Sequence, residues 1–141
     1  MKIPRSKKSI LIVEDEPFLV EMYKTRFLQD GYKVYVALNG TPVMGIMKKH
    51  KPNIVLLDIV MPEKNGYEVL RDLKGNKETR KVPVLIFSNL AQDAEVKKGM
   101  AFGADDYFVK SDYTPTQIVA KVEKMINESR KKGNSKKKKA K

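Results

Sequence analysis

Five short apolar runs, spaced fairly evenly along the chain, constrain its fold more than any other feature. They are Ile10–Val13, Val34–Ala37, Ile54–Leu57, Val84–Phe87 and Tyr107–Val109. Four of these runs are nearly continuous apolar stretches, which is typical of strands covered on both faces of a parallel sheet. The second run follows Lys33 and contains Tyr35, which predicts an edge strand.

Helical patterns fill the intervals between the apolar runs. The clearest pattern begins with a capping box at residues 114–117 and continues as an apolar stripe from Ile118 to Ile126. Pro17 and Pro42 mark the starts of the first two helices, where proline is common. The order, strand then helix repeated five times, predicts an α/β fold with a doubly wound, five-stranded parallel sheet and right-handed crossovers.

Polar groups follow four of the five predicted strands, at the edge of the sheet where ligands bind in such folds. These groups are Glu14, Asp15 and Glu16 after the first strand, Asp58 after the third, Ser88 and Asn89 after the fourth, and Lys110 after the fifth. Clustered carboxylates repel one another, and a divalent cation such as Mg²⁺ relieves that repulsion. A lysine and a hydroxyl can bind phosphoryl oxygens, and a carboxylate can accept the phosphoryl group itself. The set therefore predicts phosphoryl transfer at this edge.

The composition excludes several other classes of protein. A chain of 141 residues without cysteine predicts one domain with no disulfide, thiolate metal site or cysteine nucleophile. No glycine-rich loop follows the first strand, which argues against a dinucleotide or P-loop site. No apolar run approaches the roughly 18 residues of a membrane span, and no signal peptide is recognisable. We therefore expect a cytoplasmic protein without membrane insertion.

The net charge of +12 is concentrated at the two ends of the chain. Twelve of the 29 basic residues lie in 1–9 and 130–141, which contain no acid, so the body between them is formally neutral. We expect a basic extension at 1–8, a folded domain at 9–129 and a disordered lysine-rich tail at 130–141, because the tail has nothing apolar to bury. A solubilising role is favoured for this tail over specific nucleic-acid binding, although its charge could contact phosphates weakly.

Four motifs along the body resemble those of the receiver domain of two-component response regulators, in the chemotaxis-regulator-like group. They are Ile10–Glu16, Asp58–Pro62 followed by Asn65-Gly66, Ser88, and Gly103–Lys110. The resemblance covers about residues 9–128, and the order of the motifs is far more specific than any one of them. It implies a flavodoxin-like (βα)5 fold with strand order 2-1-3-4-5.

The resemblance also implies which residues accept the phosphoryl group and hold a metal ion. Asp58 would be the phosphoacceptor, taking a phosphoryl group from a sensor histidine kinase or a phosphotransfer protein. Glu14, Asp15, Asp58 and the backbone carbonyl of Val60 would hold Mg²⁺ or Mn²⁺, with Asp15 more direct than Glu14. No enzymatic activity is expected beyond transfer to Asp58 and loss of that phosphoryl group.

Three further residues would sense the phosphoryl group. Lys110 would bind it, Ser88 would hydrogen-bond one of its oxygens, and Tyr107 would be the switch aromatic that turns inward when Ser88 moves. The surface formed by helix 4, strand 5 and helix 5 would then carry the change to an unknown downstream protein or to a second copy in a homodimer.

The sequence departs from the family pattern at three positions. Ser111 stands where the family usually has a proline after the lysine, whose preceding bond is typically cis. A cis bond before serine costs about 2.5–4 kcal/mol, so we expect either a trans bond with a reshaped loop or a strained cis bond. Asn89 replaces a small residue and is expected to narrow access to Asp58. Ser88 replaces the commoner threonine and keeps the hydroxyl.

Several functions remain open from the sequence alone. A stand-alone, phosphorylated regulator is favoured, because little chain follows residue 130 for an output domain. An adaptor that works without phosphorylation and a receiver cut from a larger regulator are the alternatives. Dehalogenase-type phosphatases share the chemistry but need an acid two residues after the nucleophile, where this chain has Val60. Nucleic-acid binding through the lysine tail is less favoured.

Overall fold

The computed structural model describes residues 8–61 and 63–139, with side chains through residue 129. Five strands alternate with five helices. The elements are β1 (Ser9–Val13), α1 (Pro17–Gln29), β2 (Lys33–Ala37), α2 (Val43–His50), β3 (Ile54–Leu57), α3 (Gly66–Gly75), β4 (Val84–Ser88), α4 (Asp93–Ala101), β5 (Asp106–Val109) and α5 (Pro115–Lys139).

All neighbouring strands pair in parallel, in the order β2-β1-β3-β4-β5. This confirms the predicted doubly wound sheet and the strand order that the resemblance implies. β2 lies at one edge, as its sequence predicts, and its central residues are only partly buried. β1, β3 and β4 have buried side chains on both faces, because helices cover the sheet from both sides.

Two apolar clusters fill the spaces on either side of the sheet. Side chains of α2 and α3, including Met47 and Leu70, pack on one face. Side chains of α1 and α5, including Phe27 and Ile126, pack on the other face. None of the helices in the described part of the chain combines the length and apolar composition that a membrane span requires.

Local signals in the sequence set the helix starts that border the functional edge of the sheet. The predicted capping box of α5 is present: the Thr114 backbone N–H donates to Gln117 Oε1 at 2.8 Å, and the Gln117 N–H donates to Thr114 Oγ1 at 3.2 Å. At α3, the Asn65 side chain accepts a hydrogen bond from the Glu68 N–H at 3.1 Å.

Two chain ends differ from the sequence prediction. The backbone of residues 130–139 continues α5, whereas disorder is predicted for 130–141. Lysine has a good intrinsic helix propensity, and extending a packed helix needs no new nucleation. Lys8 belongs to the predicted basic extension, but it is buried and its Nζ lies 3.2 Å from Glu123 Oε1. Residues 1–7 and 140–141, which hold the rest of both predicted ends, lie outside the described residues.

The turn after β5 takes one of the two predicted forms. No peptide bond among the described residues is cis, so the Lys110–Ser111 bond is trans. Lys110–Asp112 form a single 3-10 turn between β5 and α5. A trans bond before serine avoids the cost of a cis peptide, which is much greater before serine than before proline.

Candidate functional site

The carboxyl edge of the sheet brings three acidic side chains together. Glu14 and Asp15 follow β1, and Asp58 follows β3, which is hydrogen-bonded directly to β1. One carboxylate oxygen from each lies within 4.8 Å of the others. Glu14 and Asp58 are buried, while Asp15 is exposed and faces the solvent side of the cluster.

The backbone fixes the two buried acids. The Asp58 N–H donates to the Val13 carbonyl at 2.9 Å, and the Glu14 N–H donates to the Ala37 carbonyl at 3.0 Å. These bonds extend the parallel ladder by one residue past the strands. The positions of both carboxylates are therefore set by the sheet and not by a free loop.

Gly66 lets the start of α3 approach the Asp58 backbone closely. A Cβ atom at this position would lie 2.4 Å from the Asp58 carbonyl oxygen and 2.6 Å from Ile59 Cα. Both of these atoms belong to the backbone, so neither can move aside without shifting the loop. The Gly66 N–H donates to the Ile59 carbonyl at 2.9 Å, which closes the loop after β3.

Lys110 is the cation of the site. Its Nζ donates to Glu14 Oε2 at 2.7 Å and lies 3.5 Å from Asp58 Oδ2. The lysine side chain is only 11% exposed, so the ion pair is largely shielded from water. Lys110 binds Glu14 more closely than Asp58 in this state.

The charges at the site do not balance. Burial raises the pKa of Glu14 from 4.5 to about 7, against the lowering effect of the hydrogen bond from Lys110. Burial also raises the pKa of Asp58, and Lys110 again opposes the rise. Two buried carboxylates and one exposed carboxylate share a single lysine.

Such a set of oxygen ligands fits a hard divalent cation. Magnesium is commonly held by one or two carboxylates together with waters and a phosphate group. A bound cation would also favour the charged forms of Glu14 and Asp58, and so would oppose the burial that raises both pKa values. Glu14, Asp15 and Asp58 could therefore hold Mg²⁺, as the sequence predicts, while the role of the Val60 carbonyl stays a prediction. The Val60 side chain is 60% exposed beside the acids.

The two predicted switch residues meet at one backbone position. The Ser88 Oγ accepts a hydrogen bond from the Leu90 N–H at 3.2 Å, and the Tyr107 hydroxyl donates to the Leu90 carbonyl at 2.6 Å. Ser88 is buried. The Tyr107 ring already lies inward, with 9% of its surface exposed, whereas the resemblance predicts that it turns inward when Ser88 moves. Leu90 therefore links the hydroxyl at the site to the aromatic ring of β5.

Sequence reasoning missed two residues of this group. Leu90 acts only through its backbone, so its side-chain type carries no signal. Gly99 lies on α4 above the inward-turned ring, and a Cβ atom there would lie 3.1 Å from Tyr107 Cδ2 and 2.7 Å from Ile86 Cδ1. A glycine inside a short helix is the only signal that the sequence offers for it. Asn89, which is predicted to narrow access to Asp58, is exposed, and its effect on access stays a prediction.

Comparison with known proteins agrees with these features. An open parallel sheet with acids, a lysine and a hydroxyl at its carboxyl edge defines a receiver class of signalling domain. The family description "Response regulator receiver domain" matches residues 10–123, and the chain belongs to this family.

Individual relatives share about a quarter to a third of their residues with this chain. A probable transcriptional regulator ycf27 of Cyanophora paradoxa is 32% identical over 121 residues, covering 86% of this chain and 49% of the relative. The signal receiver domain of a signal transduction histidine kinase from Syntrophus aciditrophicus is 29% identical, with a TM-score of 0.78 over 85% of this chain and 90% of that one. A CheY-like receiver domain protein from Methanospirillum hungatei shares the fold, with 23% identity and a TM-score of 0.81 over 89% and 98% of the two chains. The chain spans about half the length of the curated relatives it matches.

Proposed function

We propose that this receiver domain is a phosphorylated signalling switch and that Asp58 is its phosphoacceptor. The observation that carries the proposal is the position of Asp58, buried between Glu14, Asp15 and Lys110 at the carboxyl edge of the sheet. The donor would be a phosphohistidine of a sensor histidine kinase or of a phosphotransfer protein. An Asp58 carboxylate oxygen attacks phosphorus, the N–P bond breaks, and its electron pair returns to the imidazole nitrogen.

Magnesium would neutralise charge on the phosphoryl oxygens when it is bound. Glu14, Asp15, Asp58 and the Val60 carbonyl are the groups that would hold it. Lys110 supports the same step from the protein, because its ammonium is already 3.5 Å from the Asp58 carboxylate. Its flexible stem allows it to move from Glu14 toward a new phosphoryl oxygen.

The new phosphoryl group would be sensed through Ser88. The Ser88 side chain can turn about its Cα–Cβ bond to donate its hydroxyl to a phosphoryl oxygen, which would move Oγ away from the Leu90 N–H that it now accepts from. Because Leu90 also holds the Tyr107 hydroxyl, the loop between β4 and α4 and the ring on β5 would change together. The output surface would be α4, β5 and α5, for a protein target or a second copy. On this proposal the domain works in the cytoplasm and is not an enzyme.

A receiver that forms part of a larger regulator is the second candidate. The observation that favours it is the length of the relatives, which are about twice as long as the region matched here. Phosphorylation of Asp58 would then control whatever follows the receiver in the longer protein. An adaptor that needs no phosphorylation remains the third candidate.

Intact mass after incubation with acetyl phosphate tests the proposal. We expect one phosphoryl adduct on the native chain with Mg²⁺, little without it, and none on Asp58→Asn. Asp112→Asn is the matched control, because Asp112 is an exposed aspartate on the neighbouring turn. An adduct that persists in Asp58→Asn would place the acceptor elsewhere, and its loss in the control would place it at Asp112. No adduct with acetyl phosphate or with a phosphorylated kinase would favour the adaptor.

A further inference from the structure

The edge of the sheet opposite Asp58 carries a concentration of positive charge. In a parallel sheet with antiparallel helices, strands begin and helices end at the same edge, here called the amino edge. Two segments at this edge, residues 48–51 at the end of α2 and residues 77–82 between α3 and β4, hold six cations and one acid, Glu78. The cations, here called the basic cluster, are Lys48, Lys49, Lys51, Lys77, Arg80 and Lys81.

The basic cluster is exposed and has no acidic partners among the described residues. All six side chains are exposed, and none of them forms an ion pair with another residue in the described part of the chain. One neighbouring acid is already engaged: Asp105 Oδ2 accepts from Lys74 Nζ at 3.0 Å and from the Val84 N–H at 2.8 Å. The cluster therefore presents uncompensated charge to the solvent.

A cavity of about 470 Å³ joins the two segments. It is lined by Met47, Lys48, Lys51, Pro52, Glu78, Thr79 and Val82. Residues from α2 and from the loop before β4 thus share one concave surface, with lysines from the end of α2 at its wall. Lys51 adopts a left-handed conformation with φ of 49°, which turns the chain sharply at the end of α2.

The charged chain ends join the body at the same edge. β1 begins at Ser9, so the described chain enters the sheet at the amino edge, and the sequence before it holds Lys2, Arg5 and Lys7. α5 runs toward this edge, and Ile126 is its last fully buried side chain. At 1.5 Å per residue, the 13 residues from Ile126 to Lys139 carry the helix backbone about 20 Å farther.

We propose that the amino edge is a nucleic-acid-binding face that contacts the phosphates of duplex DNA without reading its sequence. Five of the six cluster residues are lysines, which act as point charges and suit phosphates. Neither segment contributes an exposed large apolar side chain, which a membrane surface would require as an anchor. Strands of at most five residues at about 3.3 Å each place this face roughly 17 Å from the acidic site, so it acts independently of Asp58.

Fluorescence anisotropy with a labelled random-sequence DNA duplex, at several salt concentrations, tests this face. The edge variant combines Lys48→Gln, Lys51→Gln and Arg80→Gln in the full chain and in a chain ending at residue 129. The matched control combines Lys24→Gln, Lys97→Gln and Lys121→Gln, three lysines on helix surfaces between the two edges. Urea unfolding of each variant shows whether it is folded.

We expect the native chain to bind with an affinity that falls steeply with salt. The slope of log affinity against log salt should decrease by about 0.9 for each phosphate that the variant no longer neutralises, or up to about 2.7 for the edge variant. The control should keep the native slope. The chain ending at residue 129 should keep part of the DNA binding, and the edge variant of that shortened chain should lose it. Asp58→Asn should bind as the native chain does.

Three results would overturn the proposal. An edge variant with the native affinity and slope would show that the basic cluster does not contact DNA. A shortened chain without any binding would assign the affinity to residues 130–141 alone. Tighter binding to vesicles containing anionic phospholipid than to the duplex would identify a membrane surface as the occupant instead.

Discussion

Glu14 should destabilise the metal-free domain at neutral and alkaline pH. Its carboxyl is buried, and its pKa rises from 4.5 to about 7 on folding, chiefly because burial penalises the charged form. The folded state therefore binds more protons than the unfolded state between these two values, and stability falls as pH rises through the window. At 1.36 kcal/mol per pKa unit, the full penalty is about 3 kcal/mol above pH 7.

Glu14→Gln removes the titrating group while keeping the side-chain shape. In chelator at pH 8, we expect the variant to be more stable than the native chain by up to about 3 kcal/mol. At pH 5 the gain should shrink to about 1 kcal/mol or less, because the native Glu14 is then protonated in the folded state. Urea unfolding at the two pH values measures both differences directly.

Glu16→Gln is the matched control, since Glu16 is an exposed acid two residues away. It should leave stability nearly unchanged at both pH values. Added Mg²⁺ should stabilise the native chain more than Glu14→Gln, because the variant loses a carboxylate of the proposed metal site. If Glu14→Gln is no more stable than the native chain at pH 8 in chelator, burial does not penalise this carboxylate and the proposed electrostatics of the site are wrong.

Three further changes test the elements that position the site. Gly66→Ala should cost about 1–3 kcal/mol in urea unfolding and slow labelling by acetyl phosphate, because its Cβ meets backbone atoms; Gly75→Ala, which has open space, should cost nothing. Tyr107→Phe removes a buried hydrogen bond and should cost about 1 kcal/mol, whereas Tyr113→Phe should be neutral. Lys110→Gln should slow acetyl phosphate labelling and shift its pH dependence upward, because the phosphoacceptor loses its nearest cation; an unchanged labelling rate and pH profile would contradict this.

The strand pattern predicts the fold correctly because most of the strands are buried on both faces and therefore read as continuous apolar runs. The flanking Lys33 and the central Tyr35 distinguish Val34–Ala37 as an edge strand, and β2 does lie at the edge. The strand order itself comes from the resemblance, since apolar periodicity does not specify which strands are neighbours. The capping box at Thr114 predicts the start of α5 because it is a local interaction.

The sequence predicts which residues form the site, but not the ion pairs and hydrogen bonds among them. Parallel strands bring their following residues to one edge, so Glu14, Asp58 and Lys110 are predictable as members of one site. Their pairing is not predictable, because the preference of Lys110 for Glu14 over Asp58 depends on distances of 2.7 and 3.5 Å. The shared bonds to Leu90 are invisible in the sequence for a different reason: backbone groups are the same in nearly every residue.

The basic cluster is hidden by a charge count that treats residues 10–129 as one neutral body. Charge in a (βα) repeat separates along the strands, because residues that follow strands and residues that follow helices lie at opposite edges. Part of this separation stabilises the fold, since Lys48 and Lys49 lie in the last turn of α2, where the helix dipole favours cations by about 0.3–1 kcal/mol each. The dipole gives no such reason for Lys77 and Lys81, which follow α3 in a loop and have no acidic partner among the described residues. Helix stability therefore does not account for their accumulation beside the α2 lysines, whereas the proposed contact with DNA phosphates would account for both segments.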